Sequence, residues 1–203
     1  LFLLFLAYAL NFADRTIIGA IGQAIKDDLL LSDLQLGLLG GLYFALLYTF
    51  LGLPAARFAE RCSRVGIIAV ATLVWSGFTA LCGTAGSYLS LALYRFGVGV
   101  GEAGLSPPAH SLLSDYFPPQ KRASALALYS LGVPAGTLLG AAVGGFMAQL
   151  WSWRVAFIAL GLPGILVAFA IPRLVREPAR GTSDGRPPAP LPPLSLRSEL
   201  QQT

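Results

Sequence analysis

Four ionisable residues lie inside long apolar segments: Asp14 and Arg15 in the first, Arg95 and Glu102 in the fourth. On a helix of about 3.6 residues per turn, the seven-residue spacing puts Arg95 and Glu102 on nearly the same face. Charges within a bilayer are costly, so they pair or line a water-filled path. A carboxylate can take up a proton, and the arginine fork suits a phosphate or carboxylate. These residues indicate either proton-coupled handling of an anion or a buried structural cluster of salt bridges.

The composition indicates the surroundings of these charges. Of the 203 residues, 55% are hydrophobic and 12% are charged, and the mean hydropathy is +0.68. A soluble domain carries about a quarter charged residues. We therefore predict an all-α, multi-pass integral membrane protein, with the lipid bilayer as a partner.

Six segments are apolar over about 20 residues, the length that crosses a bilayer. They are roughly 1–25, 35–56, 65–86, 88–113, 123–148 and 153–172. The connections are short, so residues 1–172 are predicted to form one six-helix transmembrane bundle. Residues 173–203 hold five arginines and a proline-rich run, and they are predicted to be a flexible cytoplasmic linker.

Basic residues are unevenly divided between the two sides of the predicted bundle. The loops at 57–64 and 115–122, with residues 173–203, hold ten lysines and arginines, against Lys26 and Arg154 in the opposite connections. Cytoplasmic loops carry such an excess, so both ends are predicted to be cytoplasmic, in a cell (inner) membrane. The same asymmetry explains the net charge of +4, and nucleic-acid binding is not needed.

The four charges fall in the first helix of each consecutive group of three helices. That layout suits a bundle of 3+3 inverted repeats, in which helices 1 and 4 flank a central path and the sites lie near the midplane. The prediction depends on the layout alone, because the two groups share no residue-level similarity.

Small residues predict close contacts between helices. They are Gly99 and Gly101 in the fourth segment, and Gly132, Gly136, Gly140 and Gly144 in the fifth. Pro134 is predicted to bend the fifth helix. Pro107 and Pro108 are predicted to lie near the end of the fourth helix and to leave backbone carbonyls free for polar partners.

The remaining polar and aromatic residues give no signal for catalysis. His110 either relays protons or has an ordinary hydrogen-bonded role. Cys62 and Cys82 are predicted to be packing residues, and Trp151 and Trp153 to lie at the membrane interface. The predicted segments contain no metal-ligand pattern and no nucleophile–base pair, so we predict no enzyme, no metal and no cofactor.

Two motifs resemble those of a known family. Arg95-x3-Gly99-x-Gly101-x-Ala103-x3-Pro107 resembles the helix-4 motif of the major facilitator superfamily. Glu60-Arg61-x2-Arg64 is similar to that family's cytoplasmic loop between helices 2 and 3, although Glu60 replaces the common aspartate. The resemblance implies that Glu60, Arg61 and Arg64 form a conformational latch between the two halves of a transporter.

Within this superfamily, four strings resemble the Spinster branch. They are Asn11-Phe12-Ala13-Asp14-Arg15, Gly99-Val100-Gly101-Glu102-Ala103, Ser111-Leu112-Leu113-Ser114-Asp115-Tyr116-Phe117-Pro118 and Glu177-Pro178-Ala179-Arg180-Gly181. The resemblance implies the N-terminal six-helix half of a twelve-helix transporter, with the C-terminal half of the same transporter as its partner. It also implies lysophospholipid-like or sphingoid-phosphate substrates, which combine an anionic head with an apolar chain.

The chemistry and the resemblance indicate the same site. Desolvation disfavours a charged Glu102 whereas a nearby arginine favours it, so protonation can act as a switch. We predict that protons are a partner and that Glu102, Asp14 and Arg95 couple them to transport, with Arg95 holding the deprotonated Glu102 and Asp14 tuning Arg15. Protonation of Glu102 would release Arg15 to an anionic headgroup. Arg15, Glu102 and, by the resemblance, Asn11 form the predicted substrate site.

The predicted function is thus proton-coupled secondary transport of a small amphipathic anion by alternating access. Two alternatives remain open. One is a proton-coupled efflux transporter for drugs or other small solutes, which would share the mechanism. The other is a non-transporting membrane sensor or a membrane-embedded enzyme.

Overall fold

The computed structural model describes residues 1–42, 62–181 and 183. Over these residues the chain is helical and contains no strand. The α-helices are α1 (Phe2–Leu29), α2 (Asp33–Gly37), α3 (Arg64–Cys82), α4 (Tyr88–Glu102), α5 (Ser106–Tyr116), α6 (Pro119–Ser130), α7 (Gly132–Leu150) and α8 (Trp153–Leu174). A single π-helical turn, Leu38–Leu42, follows α2.

Contacts at the helix ends fix the direction of each helix. Arg64, which begins α3, pairs with Asp115 near the end of α5 and with Glu177 after α8. Arg154, near the start of α8, donates to Asp28 of α1 at 2.7 Å and to the carbonyl oxygen of Ala85 at 3.1 Å. Thus α1 and α3 run from the Arg64 end of the bundle to the Asp28 end, and α4, α5 and α8 return.

Four stretches are long and apolar enough to cross a membrane: Phe2–Leu29, Arg64–Cys82, Pro119–Leu150 and Trp153–Leu174. They correspond to the first, third, fifth and sixth predicted segments. Most of the second segment, 35–56, lies outside the described residues.

The prediction of one continuous fourth helix over 88–113 is wrong. α4 ends at Glu102 and α5 begins at Ser106, so Pro107 and Pro108 lie in the first turn of a new helix. In a continuous helix, their missing N–H groups would leave the carbonyls of Ala103 and Gly104 unbonded. The first turn of a helix needs no such donors, so the helix restarts where the prolines are tolerated.

The fifth segment is also interrupted, at Leu131 between α6 and α7. Pro134 explains the position, because its ring and missing N–H disturb the bond to the carbonyl four residues earlier. Beyond this point α7 packs against α1 through its glycines. A Cβ on Gly136 would lie 2.1 Å from the carbonyl oxygen of Ala9, and one on Gly140 would lie 2.3 Å from that of Ala13.

The helix α3 forms the other side of the core. A Cβ on Gly101 of α4 would lie 2.5 Å from the backbone nitrogen of Trp75, and one on Gly161 of α8 would lie 2.6 Å from that of Ala80. The close contacts hold α4 and α8 against α3. Gly99 is buried in α4, and Gly132 and Gly144 are buried in α7.

Two predictions about single residues are wrong in part. Cys82 is buried as expected of a packing residue, whereas Cys62 is exposed. Trp151 is 63% exposed at the Asp28 end, but Trp153 is only 3% exposed. Trp153 is drawn inward because its indole nitrogen donates to Asp28 at 3.3 Å and Arg154 lies over its ring.

Candidate functional site

The helices α1 and α4 bring the four predicted charges together. Asp14 and Arg15 lie near the middle of the 28-residue α1. Arg95 lies about two turns before Glu102, the last residue of α4. We call these four residues and Asn11 the central cluster.

Each arginine of the central cluster pairs with the carboxylate of the opposite helix. Arg15 Nε donates to Glu102 Oε2 at 2.6 Å, and Arg95 Nη1 donates to Asp14 Oδ2 at 3.0 Å. Arg95 therefore holds Asp14 in this structure, and Glu102 is held by Arg15. The sequence-based hypothesis had Glu102 release Arg15 on protonation, which the Arg15–Glu102 contact fits. It also had Arg95 hold the deprotonated Glu102 and Asp14 tune Arg15, whereas here Arg95 bonds to Asp14.

Burial and hydrogen bonding in the cluster are unequal. Glu102 is 0% exposed and Asp14 is 2% exposed, whereas 23% of the Arg15 side chain is accessible. Among the described residues, Glu102 Oε1, Asp14 Oδ1 and both polar atoms of the Asn11 amide are buried without a hydrogen-bond partner. An unpaired buried polar group costs about 1–3 kcal/mol. The cluster therefore retains acceptors that a proton or a ligand could satisfy.

Aromatic rings extend from Arg15 towards the Arg64 end. The Arg15 guanidinium lies 5.0 Å from the centre of the Phe12 ring. Tyr8 meets Phe12 edge to face at 5.0 Å and stacks on Tyr129 at 4.3 Å. His110 lies edge to face against Tyr129 at 5.3 Å. Sequence reasoning missed these rings, although the spacing of Tyr8, Phe12 and Arg15 along one helix face was available.

His110 has a local role in this arrangement. Its Nδ1 donates to the carbonyl oxygen of Ser106 at 2.8 Å, and its side chain is exposed. The contact corresponds to the hydrogen-bonded alternative of the sequence analysis. A proton-relay role stays a prediction.

A second cluster surrounds Arg64, whose side chain is 0% exposed. Its Nε donates to Glu177 Oε1 at 2.7 Å, and its Nη2 donates to the carbonyl oxygen of Pro178 at 2.8 Å. Its Nη1 donates to Asp115 and, at 3.1 Å, to the hydroxyl of Ser111. All three guanidinium nitrogens thus have acceptors within the chain.

The two carboxylates that pair with Arg64 also accept hydrogen bonds from other residues. Glu177 Oε2 accepts from the Ser63 hydroxyl at 2.9 Å and from the Val65 N–H at 2.8 Å. Burial by itself would raise the pKa of Glu177, but the hydrogen bonds from Val65, Arg64 and Ser63 outweigh it and hold this pKa below its ordinary value. Asp115 Oδ1 accepts from the Gly181 N–H at 3.1 Å. We call Ser63, Arg64, Ser111, Asp115 and Glu177 the Arg64 cluster.

Of the three predicted latch residues, one lies in the described part of the chain. Glu60 and Arg61 lie outside the described residues. Arg64 is described, and it bonds to Asp115, Glu177 and Pro178. Sequence reasoning missed Asp115 and Glu177 as its partners, because they lie 51 and 113 positions away. Both belong to strings that carried the family resemblance, which was the signal that could have found them.

The two clusters and the six-segment pattern can be compared with known proteins. Residues 4–202 match the family model described as Major Facilitator Superfamily. The chain belongs to the Major Facilitator Superfamily. This membership confirms the predicted fold class, the N-terminal half of a major facilitator transporter, whose described residues form helices and no strand. The family consists of transporters rather than enzymes.

Solved structures of Spinster relatives have the same fold. The chain superposes on a bacterial homologue of the human lysosomal transporter Spinster, inward-facing and occupied, with a TM-score of 0.85 and 40% identity over 91% of this chain and 45% of that one. The unoccupied form also gives a TM-score of 0.85, with 38% identity over 99% and 47% of the two chains. The predicted resemblance to the Spinster branch is confirmed.

Curated relatives include both Spinster and other transporters. Identity is 35% to an efflux pump of Mycolicibacterium smegmatis (78% of this chain, 37% of the relative). It is 30% to the hexuronate transporter of Bacillus subtilis (88% and 42%) and 32% to protein spinster of Drosophila melanogaster (87% and 29%). The chain therefore spans less than half the length of these major facilitator relatives.

Proposed function

We propose that this chain is the N-terminal half of a proton-coupled secondary transporter that carries an amphipathic organic anion by alternating access. The observation that carries the proposal is the pairing of Arg15 with Glu102, in which the arginine is partly accessible and the carboxylate is wholly buried. Arg15 can exchange Glu102 for an anionic ligand, and Glu102 can exchange Arg15 for a proton.

In the proposed cycle, Glu102 is the proton carrier. Uptake of a proton by Glu102 removes the charge that holds Arg15 Nε, and the freed arginine then binds the anionic group of the substrate. Release of substrate restores the pair and favours loss of the proton. Asp14 and Arg95 keep the neighbouring charges balanced, since each is the other's partner.

The substrate site comprises Arg15, Glu102 and Asn11. An amide can both donate and accept hydrogen bonds. Among the described residues, neither the nitrogen nor the oxygen of the buried Asn11 amide has a hydrogen-bond partner. Asn11 precedes Arg15 by four positions, so both project from one face of α1. Together they suit a phosphate or carboxylate headgroup.

The apolar part of the proposed substrate is inferred from the resemblance to Spinster. We propose a lysophospholipid-like or sphingoid-phosphate substrate. A second candidate is a smaller organic anion, which is favoured by the similarity to the hexuronate transporter. Export of drugs is kept as an alternative because of the similarity to an efflux pump.

We further propose that the Arg64 end is cytoplasmic in the cell membrane, since the basic residues Arg64, Lys121 and Arg122 lie there. In this proposal a C-terminal six-helix half packs against the chain, and Glu60 and Arg61 latch the two halves. Arg64 anchors that latch, because its own hydrogen bonds are satisfied within the chain. Residues 173–203 lead towards the second half.

Uptake into liposomes tests the proposal. With the complete two-half transporter and an imposed pH gradient, we expect a labelled alkyl phosphate to accumulate against its concentration gradient. Excess lysophospholipid should compete, excess cationic drug should not, and a hexuronate should compete only if the smaller-anion alternative holds. Accumulation that is insensitive to the pH gradient would overturn proton coupling.

A further inference from the structure

The rings of Tyr8 and Phe12 lie on the same face of α1 as Arg15. The spacings of four and three residues place the three side chains in one row along the helix. At about 1.5 Å per residue, the row is roughly 10 Å long. It starts at the cation of the central cluster and leads towards the Arg64 end.

The row is only partly covered by the chain. Tyr8, Phe12 and Arg15 are each half-buried, whereas their neighbours Ala7, Ala9 and Ala13 are buried against other helices. Tyr129, at 0% exposed, supports Tyr8 from behind by stacking at 4.3 Å. The stacking fixes the ring of Tyr8, and Tyr8, Phe12 and Arg15 all remain partly accessible.

Fixed rings beside a cation combine two kinds of recognition. The guanidinium can hold an anionic group, and the rings offer rigid apolar contact without losing much conformational freedom. A small polar anion would use the guanidinium alone. An anion with an apolar body would use the whole row.

We propose that Phe12 and Tyr8 form the apolar subsite of the transporter and set the length of substrate that it prefers. The occupant is an organic anion whose charged group binds Arg15 and whose apolar body lies along Phe12 and then Tyr8. This inference rests on the proposed function and adds the residues that select for an apolar body. Affinity should rise with the length of that body and stop rising once the roughly 10 Å row is covered.

Equilibrium binding of a series of n-alkyl phosphates, from ethyl to dodecyl, to the purified complete transporter tests this proposal. Burial of each methylene contributes about 0.8 kcal/mol, so affinity should rise by up to about fourfold per methylene until it levels off. Phe12→Ala should flatten the rise for all chain lengths. Tyr8→Ala should make affinity level off at a shorter chain, and Tyr8→Phe should behave like the wild type because it keeps the ring.

Phe146→Ala is the matched control, because Phe146 is an exposed aromatic residue of α7, 59% accessible and away from the row. This variant should leave the rise of affinity with alkyl chain length unchanged. Thermal unfolding of each variant distinguishes loss of the subsite from loss of the fold.

The outcomes separate this inference from the proposed function. If Arg15→Gln abolishes binding of every phosphate while Phe12→Ala and Tyr8→Ala leave the length dependence intact, the aromatic subsite is wrong and the anion site stands. If Arg15→Gln binds the whole series as the wild type does, the anion site itself is wrong. If the aromatic variants lose affinity equally for ethyl and dodecyl phosphate, the rings support the site rather than select for length, and the inference is again overturned.

Discussion

The central cluster and the Arg64 cluster use the same chemistry, arginine against carboxylate, but they complete it differently. Arg64 has an acceptor for each guanidinium nitrogen, and both oxygens of Asp115 and Glu177 accept hydrogen bonds. In the central cluster, one oxygen of Asp14 and one of Glu102 have no partner among the described residues. A cluster whose polar atoms are all hydrogen-bonded is stabilised in its present arrangement. A cluster with unpaired buried oxygens is stabilised further when a proton or a ligand binds to them.

The positions of the two clusters match this difference. The Arg64 cluster joins the start of α3, the end of α5 and the segment after α8, so it fixes one end of the bundle. The two ion pairs of the central cluster join α1 and α4, and one of them lies at the point where α4 ends. We propose that the first cluster maintains the fold and that the second is the place where a change of state can start.

The largest loss of stability should come from breaking the Arg64 cluster. Arg64→Met leaves two carboxylates without their cation, and removal of one partner from a buried pair costs about 3–5 kcal/mol. We expect a large drop in the thermal unfolding temperature of the purified protein. Arg173→Met, which removes an exposed arginine whose hydrogen bond within the described residues is to a backbone carbonyl of α8, should change it little. Equal effects of the two variants would contradict the comparison.

A smaller effect should follow from moving α1. Gly136→Ala places a methyl group 2.1 Å from the carbonyl oxygen of Ala9, so the two helices must separate. Overpacking of this kind costs about 1–3 kcal/mol. Gly145→Ala on the same helix meets nothing within 4 Å and is the matched control.

The Gly136→Ala variant also tests whether transport depends on the central cluster rather than on the Arg64 cluster. Because α1 carries three of the five residues of the central cluster and none of the Arg64 cluster, transport should fall by more than the loss of stability explains. Transport that is reduced only in proportion to the folded fraction would show that the spacing of α1 and α7 does not matter to the site.

The smallest effect concerns pH. The pKa of Glu177 lies below its ordinary value of 4.5, so its charged form is favoured in the folded state. Its contribution to stability is present above the unfolded value and is lost as the pH falls through the lower folded value. The difference in unfolding temperature between wild type and Glu177→Gln should therefore shrink below about pH 4. Asp27→Asn controls for the removal of one exposed charge, and a difference that persists in acid would contradict the role of Glu177.

Much of the fold could be predicted because hydrophobic length and charge placement are local signals. Asp14, Arg15, Arg95 and Glu102 stood out because charges are rare in apolar segments, and the structure brings them together. The contact of Glu102 with Arg15 was part of the prediction, but the pairing of Arg95 with Asp14 was not, since it depends on the relative rotation of α1 and α4. That rotation is set by packing contacts such as Gly101 against Trp75.

Other features were missed for different physical reasons. The break after Glu102 was overlooked because the prolines were placed at the end of a helix rather than at the start of the next one. The partners of Arg64 were missed because long-range pairs leave no spacing signal. The row of rings at Tyr8 and Phe12 was missed because aromatic residues are expected in any membrane helix.

Proton coupling in the Glu102→Gln variant tests the central claim most directly. The complete transporter would be reconstituted in liposomes, and proton and substrate fluxes would be measured together. Glutamine keeps the shape of the side chain but cannot exchange a proton, so we predict that substrate exchange persists while accumulation driven by a pH gradient is lost. Undiminished coupling in this variant would contradict the assignment of Glu102 as the proton carrier.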